Sequence, residues 1–493
     1  MFGGCRVVGV LGVVYFISAC ALAIYGFNIL LTAGLYWRKR SVVVATPPLT
    51  DMPRVTVQLP IYNELYVIER LIDAAAALDW QRDRLQIQVL DDSDDETTAR
   101  AHARVEYHRR RGLDITLIRR GDRTGFKAGA LAAGLARATG EFIAVFDADF
   151  VPPRAFLKET LPHFGAQPNL GLVQTRWGHL NADYSLLTRA EALALDGHFV
   201  VEQAARHRHG LFFNFNGTAG VWRRACIEDA GGWQGDTLSE DLDLSYRAQL
   251  QGWRFLFLPA VAAPAELPPQ IHAYKRQQFR WAKGSTQVLL KLGARVLTQP
   301  GLSGFMRVEG LLHLSGYLMN VLMLLLLLTL VPLLIMDAHF PDAMLFLSFA
   351  MFGPVVMYVL SQRALYPDWL SRFRYFGVLL LLGTGIAFSN SLAVLDAFTR
   401  RGNTFRRTPK FRVESETDAW QSKRYTLPLS WETFVELSLA VYACIGAAIA
   451  WQRHLVWTMP FLLLYAVSFA FVGGLALLHS LPARRRVELA TAQ

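Results

Sequence analysis

The stretch Phe-Ile-Ala-Val-Phe-Asp-Ala-Asp at residues 142–149 decides the fold class, because a short apolar run ends directly in two carboxylates. Three similar runs precede it, at 55–59, 87–90 and 115–118, and residues 65–77 have helical spacing. These runs predict buried strands, and their alternation with helices predicts an α/β domain with a doubly wound, mostly parallel sheet. Ligands bind such sheets beyond the carboxyl ends of the strands, so the polar residues there are candidates for a site.

The composition separates a soluble part from a membrane part. The chain has 493 residues, of which 53% are hydrophobic, and these concentrate at the N-terminus and after residue 310. Much of the net charge of +10 lies beside the apolar spans, and no basic stripe is interleaved with aromatic residues, so the charge argues against a nucleic-acid partner. The four cysteines form no C-x-x-C pair, which argues against a zinc site or disulfide framework and suits a reducing cytosolic face.

The apolar pattern predicts three regions: a transmembrane helix at 7–37, a cytosolic domain at 50–300 with interfacial helices, and a transmembrane region at 310–480. A cleaved signal peptide is the alternative for 7–37, but the apolar run is too long and Arg38, Lys39 and Arg40 follow it. These charges predict an outward N-terminus in a plasma or inner membrane. The other predicted spans are 310–336, 343–361, 433–451 and 455–479.

The apolar segment 375–398 is ambiguous. The basic segments 362–374 and 399–431 flank it, and both are expected inside, as is the tail 484–486, whereas 337–342 is acidic and expected outside. A segment with both ends inside cannot cross once, so we interpret it as an interfacial or re-entrant helix and expect five spans. A sixth true span is the alternative.

Two polar clusters follow the first two predicted strands. Tyr62 could stack on a flat base, and Glu64 could bond sugar hydroxyls, although an ordinary strand-to-helix turn is an equally good interpretation. In the second cluster, at 91–95, Asp92 could contact the base or ribose of a nucleotide. The alternative there is a solvated acidic loop with an aspartate capping the next helix.

Asp147 and Asp149 follow the strand predicted at 142–146. Two carboxylates at i and i+2 beyond a strand end could share one Mg²⁺ or Mn²⁺ ion, which prefers oxygen ligands and retains phosphate oxygens in its shell. Such an ion would stabilise a diphosphate leaving group.

Asp241, in the run Ser-Glu-Asp at 239–241, could take a proton from a sugar hydroxyl that attacks a glycosyl donor. The alternative is that this run only caps the helix predicted at 241–250.

The segment 277–281 places an arginine next to a tryptophan. Arg280 suits a diphosphate, and the indole of Trp281 could stack on a pyranose ring. An amphipathic helix anchored at the membrane surface is the alternative, and both interpretations could hold for one helix. The basic loop at 405–410 is, by charge alone, an ordinary loop on the inner side.

Taken in this order, the clusters resemble the processive branch of glycosyltransferase family 2, most closely the cellulose-synthase-like A and C enzymes that make mannan, glucomannan and glucan backbones. The resemblance covers about residues 55–291 and returns at 405–410. It includes the runs Gln-Val-Leu-Asp-Asp-Ser at 88–93, Gly-Phe-Lys-Ala-Gly-Ala-Leu at 125–131, and Phe-Asn-Gly-Thr-Ala-Gly-Val-Trp at 215–222.

The resemblance implies a GT-A-like domain and a set of site residues. A base role for Asp241 and a metal role for Asp147 and Asp149 agree with the residue-based interpretation. A gating loop near 400–425 would close over the donor. The donor-binding residues would be Tyr62, Glu64, Asp92, Lys127, Asp147, Gln277, Arg280, Phe405, Thr408 and Lys410, and the acceptor-binding residues Asn216, Glu240 and Trp281.

The expected activity is metal-dependent, inverting transfer of a hexose from a nucleotide sugar, UDP-glucose or GDP-mannose, to a growing β-linked polysaccharide that is then exported. The family usually has Thr-Glu-Asp where this chain has Ser239-Glu240-Asp241, which retains the hydroxyl and could alter acceptor preference. A single addition to a lipid acceptor is the nearer alternative. A non-catalytic membrane transporter or sensor is the more distant one, and the scarcity of charges within the spans argues against it.

Overall fold

The structure is a computed structural model that describes residues 2–42, 44–49, 51–338, 342–399 and 403–481. The predicted inner tail at 484–486 lies outside these residues. Seven described strands form one sheet in the order β3-β2-β1-β4-β6-β5-β7. Their bounds are β1 Val55–Ile61, β2 Leu85–Asp91, β3 Asp114–Arg119, β4 Phe142–Val145, β5 Leu170–His179, β6 Gly220–Arg223 and β7 Arg254–Ala265.

The strand pairing brings the polar loops to one edge of the sheet. β1 pairs in parallel with β2 and β4, β2 with β3, and β5 with β7, while β6 runs antiparallel between β4 and β5. The carboxyl ends of β1, β2, β4, β5 and β7 therefore share an edge with the amino end of β6. The predicted doubly wound, mostly parallel sheet is confirmed, and all four predicted strands are present with bounds shifted by at most two residues.

The helices cover both faces of the sheet and continue into an apolar bundle. Their bounds are α1 Phe2–Arg38, α2 Ile68–Ala76, α3 Thr97–Arg109, α4 Phe126–Leu135, α5 Phe156–Thr160, α6 Pro162–Ala166, α7 Leu186–Asp196, α8 Ala204–Arg208, α9 Arg224–Asp229, α10 Glu240–Leu250, α11 Ile271–Thr298, α12 Gly304–Leu314, α13 Leu318–Ile335, α14 Phe352–Leu365, α15 Trp369–Phe373, α16 Phe376–Gly385, α17 Ala387–Thr399, α18 Glu432–Gln452 and α19 Met459–Ser480. The segment Gly197–Gln203 is a π-helix, and Asp342–Met351 is a 3₁₀ helix.

The core of the domain is two-sided because the strands alternate. Val57 and Ile87 point to one face, where α2 and α3 pack, and Ile143 and Val145 point to the other, where α4 packs. Strands that are buried on both faces are near-continuous apolar runs in sequence, which is why the runs predicted them.

Four helices within the described ranges are long and apolar enough to cross a bilayer, so this is a multi-pass membrane protein. They are Val7–Arg38, Leu318–Ile335, Glu432–Gln452 and Met459–Ser480. A further pair, Trp369–Gly385 with Ala387–Thr399, meets the same criteria together but bends by 42° at its break, which is the geometry of a broken span or a re-entrant loop.

Two predicted spans differ from the observed helices. Residues 310–336 divide into α12 and α13, and the hydroxyl of Tyr25 donates to Oγ of Ser315 at the break (2.8 Å). Residues 343–361 are not one α-helix but a 3₁₀ helix followed by α14. This segment packs closely on α1, since a Cβ at Gly353 would lie 2.3 Å from the carbonyl oxygen of Gly26.

Candidate active site

A lysine joins two of the predicted site acids. Lys127, in the first turn of α4, donates to Oδ1 of Asp147 (2.5 Å) and to the carbonyl oxygen of Gly217 (2.8 Å), and its Nζ lies 3.8 Å from Glu240. Burial alone would lower the pKa of Lys127, but the nearby carboxylates, Asp147 and Glu240 foremost, together raise it above its ordinary value. The loop after β4, the loop before β6 and the start of α10 therefore meet at one ammonium group.

Asp241 reaches the same point. A Cβ at Gly217 would lie 2.9 Å from Oδ2 of Asp241 and 3.3 Å from Nζ of Lys127. This position favours glycine for two reasons, the lack of space for a Cβ and the positive φ of +79°. Burial, and then the neighbouring Glu240 carboxylate, raise the pKa of Asp241 to about 7. A carboxylate with such a pKa suits general base catalysis near neutral pH.

The start of α10 is fixed by contact with α11. A Cβ at Gly284 would lie 2.0 Å from Oγ of Ser239, so the two helices approach as closely as their backbones permit. The Ser239 side chain makes no capping hydrogen bond, and Glu240 is held by Lys127, which leaves the capping interpretation of this run without support.

Asp149 pairs with the basic loop. Lys410 donates to its Oδ2 at very short range, and both side chains are about nine-tenths buried. Burial alone would lower the pKa of Lys410, but Asp149, Glu64 and Glu266 together raise it above its ordinary value.

The fit of a divalent metal follows from these pairs. Among the described residues no cluster of three or more metal-ligating side chains exists, so an all-protein metal cage does not fit. A site of one or two carboxylates completed by substrate phosphates does fit, and Mg²⁺ commonly binds that way. Asp147 is one-third exposed, and the ammonium groups of Lys127 and Lys410 now lie against the carboxylates where a cation would bind.

The loop at 403–431 makes further contacts with the edge of the sheet. Nε of Arg407 lies 3.1 Å from Oε1 of Glu64, and burial raises the pKa of Glu64 to about 7 against the opposing effect of Arg407. Phe405 stacks on Phe126 with ring centroids 5.8 Å apart, and the guanidinium of Arg280 lies 4.9 Å from its ring. The predicted loop residues therefore meet Glu64 on one side and Arg280 on the other.

Thr408 is also buried, and its hydroxyl has no hydrogen-bond partner among the described residues. Phe411, Val413 and Trp420 form a small apolar cluster that gives the loop its own core.

The two predicted nucleotide contacts nearest β1 and β2 are engaged by arginines. Asp92 accepts two bonds from Arg120, one of 3.0 Å from Nε, and the guanidinium of Arg123 lies 3.3 Å from the ring centroid of Tyr62. These partners lie in the segment between β3 and α4, which carried no predicted role. A nucleotide would meet Arg120 and Arg123 together with Asp92 and Tyr62.

Gln277 and Trp281 line one pocket with Asp149. The pocket is partly open to solvent. The predicted metal ligand and the predicted motif on α11 are thereby brought together. Oδ1 of Asn216, which is predicted to bind the acceptor, lies 3.0 Å from Nε2 of His198 in the π-helix.

Glu266 is a site residue that the sequence analysis missed. Its carboxylate accepts the backbone N–H groups of Phe411 and Arg412, each at 2.9 Å, and lies 3.8 Å from Arg70. Glu266 directly follows β7, and Asp147 follows β4 after one intervening residue, so an acid near the end of a further strand was the available signal. Its strand was not among those predicted.

Residues 53–284, slightly less than half of this chain, match the family described as glycosyltransferase like family 2. The resemblance inferred from the motifs is confirmed.

Two curated relatives match this domain. Probable glucomannan 4-beta-mannosyltransferase 7 of Oryza sativa subsp. japonica is 44% identical over 257 residues, which is 51% of this chain and 44% of that protein. Glucomannan 4-beta-mannosyltransferase 2 of Arabidopsis thaliana is 41% identical over 282 residues, 55% of this chain and 53% of that protein. The matched region spans about half the length of these relatives.

A solved structure shares the fold. The mannosyltransferase PcManGT from Pyrobaculum calidifontis, solved in complex with GDP-Man and Mn²⁺, is 23% identical, covers 78% of this chain and 99% of its own, and superposes with a TM-score of 0.53. This likeness confirms a GT-A-like architecture for the sheet domain.

Proposed function

We propose that this protein transfers hexosyl groups, with inversion, from a nucleotide sugar to a growing β-linked polysaccharide. The relatives named as glucomannan 4-beta-mannosyltransferases favour GDP-mannose over UDP-glucose as the donor. The observation that carries the proposal is the convergence of Asp241, Lys127 and Asp147 at the edge of the sheet, beside the pocket that Asp149 shares with Trp281.

Asp241 would act as the general base. The acceptor hydroxyl oxygen forms a bond to the anomeric carbon while the bond from that carbon to the diphosphate breaks on the opposite face. The hydroxyl proton passes to a carboxylate oxygen of Asp241, and the electron pair leaves with the nucleoside diphosphate. One displacement of this kind converts an α-linked donor into a β-linkage. Positioning and electrostatic stabilisation would supply most of the acceleration.

Asp147 and Asp149 would hold a divalent cation together with the phosphates, and this ion would stabilise charge on the leaving diphosphate. In PcManGT the bound metal is Mn²⁺. Lys410 now neutralises Asp149, and Lys127 neutralises Asp147. We propose that donor binding draws Lys410 from the carboxylate to the phosphates, because a diphosphate offers a stronger anion to the same ammonium group.

The membrane arrangement is part of the proposal, with the plasma or inner membrane as its expected location. The domain contacts the end of α1 through Lys39, which donates to the carbonyl of Arg208 (2.6 Å), and the end of α14 through Gln362, which donates to Asp196 (3.0 Å). Asp337 after α13 pairs with Arg453 after α18, away from the domain. We infer that α13 leaves the domain side and that residues 342–365 return to it.

The bent pair would then begin and end on the domain side. Arg189 donates to Tyr375 near the start of the pair (2.8 Å), and Asn403 after the pair donates to the carbonyl of Asp236 (2.9 Å). The ten 3₁₀ residues and fourteen α residues of 342–365 extend for about 40 Å, enough for a hydrocarbon core of about 30 Å. These contacts support five crossings, with 375–398 re-entrant.

Impermeant thiol labelling of intact cells tests the arrangement. In a variant whose four native cysteines are serine, Asp337→Cys should label from outside and Leu370→Cys only after permeabilisation. Labelling of Leu370→Cys in intact cells would contradict a crossing by 342–365.

The activity test uses the full-length protein in lipid nanodiscs with radiolabelled GDP-mannose or UDP-glucose. We expect alcohol-insoluble product that a β-mannanase degrades, at least about 100-fold less product from Asp241→Asn, and unchanged product from Glu228→Gln, whose side chain is half exposed. A single labelled glycolipid would favour single addition. No release of nucleoside diphosphate from either donor would contradict the proposal.

A further inference from the structure

The pocket beside Asp149 has a wall that the proposed mechanism does not use. Gln277 and Trp281 of α11 form one side of the pocket. Trp177 and His179, which are among the last three residues of β5, also line it. Because Trp177 and His179 are at i and i+2 on a strand, their side chains point to the same face. The wall is therefore built from one strand end that faces the helix of the catalytic motif.

Both side chains carry a buried polar atom without a partner. Nε1 of Trp177 and Nδ1 of His179 make no hydrogen bond to any described residue, and the His179 side chain is only 5% exposed. Buried polar groups in folded proteins are nearly always paired, so two such atoms on residues that line one pocket point to a ligand that pairs them.

The hydrogen bond on the other side of the His179 ring determines whether Nδ1 donates or accepts. Nε2 of His179 lies 3.1 Å from Oδ1 of Asp196, whose other oxygen accepts from Gln362 (3.0 Å). A carboxylate only accepts, so Nε2 carries a hydrogen, and Nδ1 of the neutral ring is an acceptor. The indole N–H of Trp177 is only a donor.

The wall is also held in place. The Trp177 ring packs edge-on against Phe150 at 5.3 Å and against Phe199 at 5.2 Å. Asp196 ties His179 to α14 through Gln362. A donor and an acceptor on two held residues of one pocket match a hydroxyl group, which accepts and donates at once, or two hydroxyl groups on adjacent ring carbons.

We propose that Trp177 and His179 recognise hydroxyl groups of the hexosyl group of the donor and determine which sugar is accepted. This inference rests on the proposed function, because it takes Asp149 and Gln277 as the side of the pocket nearest the diphosphate. A site built to pair a hydroxyl rejects an analogue that lacks it, since the buried polar groups are then left unpaired.

The test separates sugar recognition from nucleotide recognition. Binding of GDP, GDP-mannose, UDP and UDP-glucose to the full-length protein in nanodiscs is measured by calorimetry for wild type and Trp177→Phe, which removes only the donor N–H and retains an aromatic ring. We expect the affinity for GDP or UDP to change less than twofold. The ratio of the affinity for the nucleotide sugar to the affinity for its nucleoside diphosphate should fall about 10- to 100-fold. Trp253→Phe, whose Nε1 bonds Asp229 far from the pocket, is the matched control and should bind as wild type.

A second variant tests His179 without altering it. Asp196→Asn retains the shape, but its amide can donate to Nε2 of His179 and so move the ring hydrogen to Nδ1, which turns that acceptor into a donor. We expect this variant, like Trp177→Phe, to lose discrimination against one of the 2-, 3-, 4- or 6-deoxy forms of the preferred donor.

The outcomes distinguish the two proposals. Sugar-dependent binding without transfer would overturn the proposed function and leave the hydroxyl subsite intact. Normal transfer with both variants equal to wild type in sugar-dependent binding and deoxy-donor discrimination would overturn the subsite alone. A loss seen only in the KM for acceptor oligosaccharide would also overturn it, and a wild type that binds neither nucleotide sugar would overturn both.

Discussion

The proposed base predicts a pH profile that an exposed aspartate could not give. Burial, and then Glu240, raise the pKa of Asp241 from its ordinary 3.8 to about 7. The base acts in its ionised form, so activity should rise with pH through that value. The ionised fraction is about one-tenth at pH 6 and about nine-tenths at pH 8, so turnover at saturating donor should rise about tenfold between them.

The same calculation with an ordinary aspartate predicts a flat profile. At a pKa of 3.8 the carboxylate is more than about 99% ionised at both pH values, so the rate would not change. Glu240→Gln supplies a directional test, because removing the like charge lowers the pKa of Asp241 and should move the rising limb to lower pH. Asp241→Asn should lose about 10²- to 10⁴-fold in turnover, or about 3–5 kcal/mol of transition-state stabilisation, at every pH.

A second carboxylate titrates in the same range and has to be separated from the first. Burial raises the pKa of Glu64 to about 7 too, and Glu64 holds Arg407 of the loop. The assay therefore measures nucleoside diphosphate release from pH 5.5 to 8.5 for wild type, Glu240→Gln and Glu64→Gln. We expect Glu64→Gln to retain the rising limb near pH 7 whatever its maximal rate.

A flat wild-type profile would refute the reasoning, and so would a limb that vanishes in Glu64→Gln. If the rising limb of activity stays at the same pH in Glu240→Gln, the group that titrates is not influenced by the Glu240 carboxylate. Binding of nucleoside diphosphate, measured in parallel, should show no limb of the same size, since Asp241 acts on the acceptor hydroxyl.

Three further outcomes follow from the site. Lys127→Met removes a cation beside Asp241, so the pKa of Asp241 and the rising limb of activity should move to higher pH. Glu266→Gln weakens two charge-assisted bonds to the loop 403–431, so limited proteolysis within that loop should become faster in the ligand-free protein. Gly284→Ala places a Cβ 2.0 Å from Oγ of Ser239 and should reduce turnover. Gly293→Ala on the same helix meets only the ends of the Leu289 and Leu311 side chains, at 3.3 Å or more, and should behave as wild type. Equal activity of the two variants would contradict the close approach at Gly284.

The sheet could be predicted from the sequence because its strands are buried on both faces. Val55, Val57 and Leu59 of β1 are all fully buried, and such a strand appears in the sequence as an uninterrupted apolar run. The predicted bounds were short where polar residues belong to the strand, as at Asp91, which ends β2 and is 1% exposed. The break between α12 and α13 left no trace in composition, because it depends on Tyr25, which lies 290 positions away from its partner Ser315.

The acids of the candidate site that follow the predicted strands could be predicted because each comes after an apolar run in a short stretch of sequence. The cations that pair with them could not be predicted in this way. An aspartate after an apolar strand is visible in one short window, as at Asp147. The cation that pairs with such an acid can lie far away in the sequence. Lys410 lies 261 positions from Asp149, and Arg407 lies 343 positions from Glu64. No local pattern links these residues.

The basic loop shows why charge alone gave the weaker interpretation. A run of arginines and lysines between two apolar helices is what the positive-inside bias produces, whether or not any of the charges binds a partner. Two cations of this loop, Arg407 and Lys410, instead neutralise buried acids at the carboxyl edge of the sheet, and Glu266 holds its backbone. Since a buried cation and a buried carboxylate are each costly alone, neither side of these pairs could be lost without the other. The loop and the edge of the sheet therefore form one electrostatic unit, and any donor that binds there has to replace the contacts that the loop makes now.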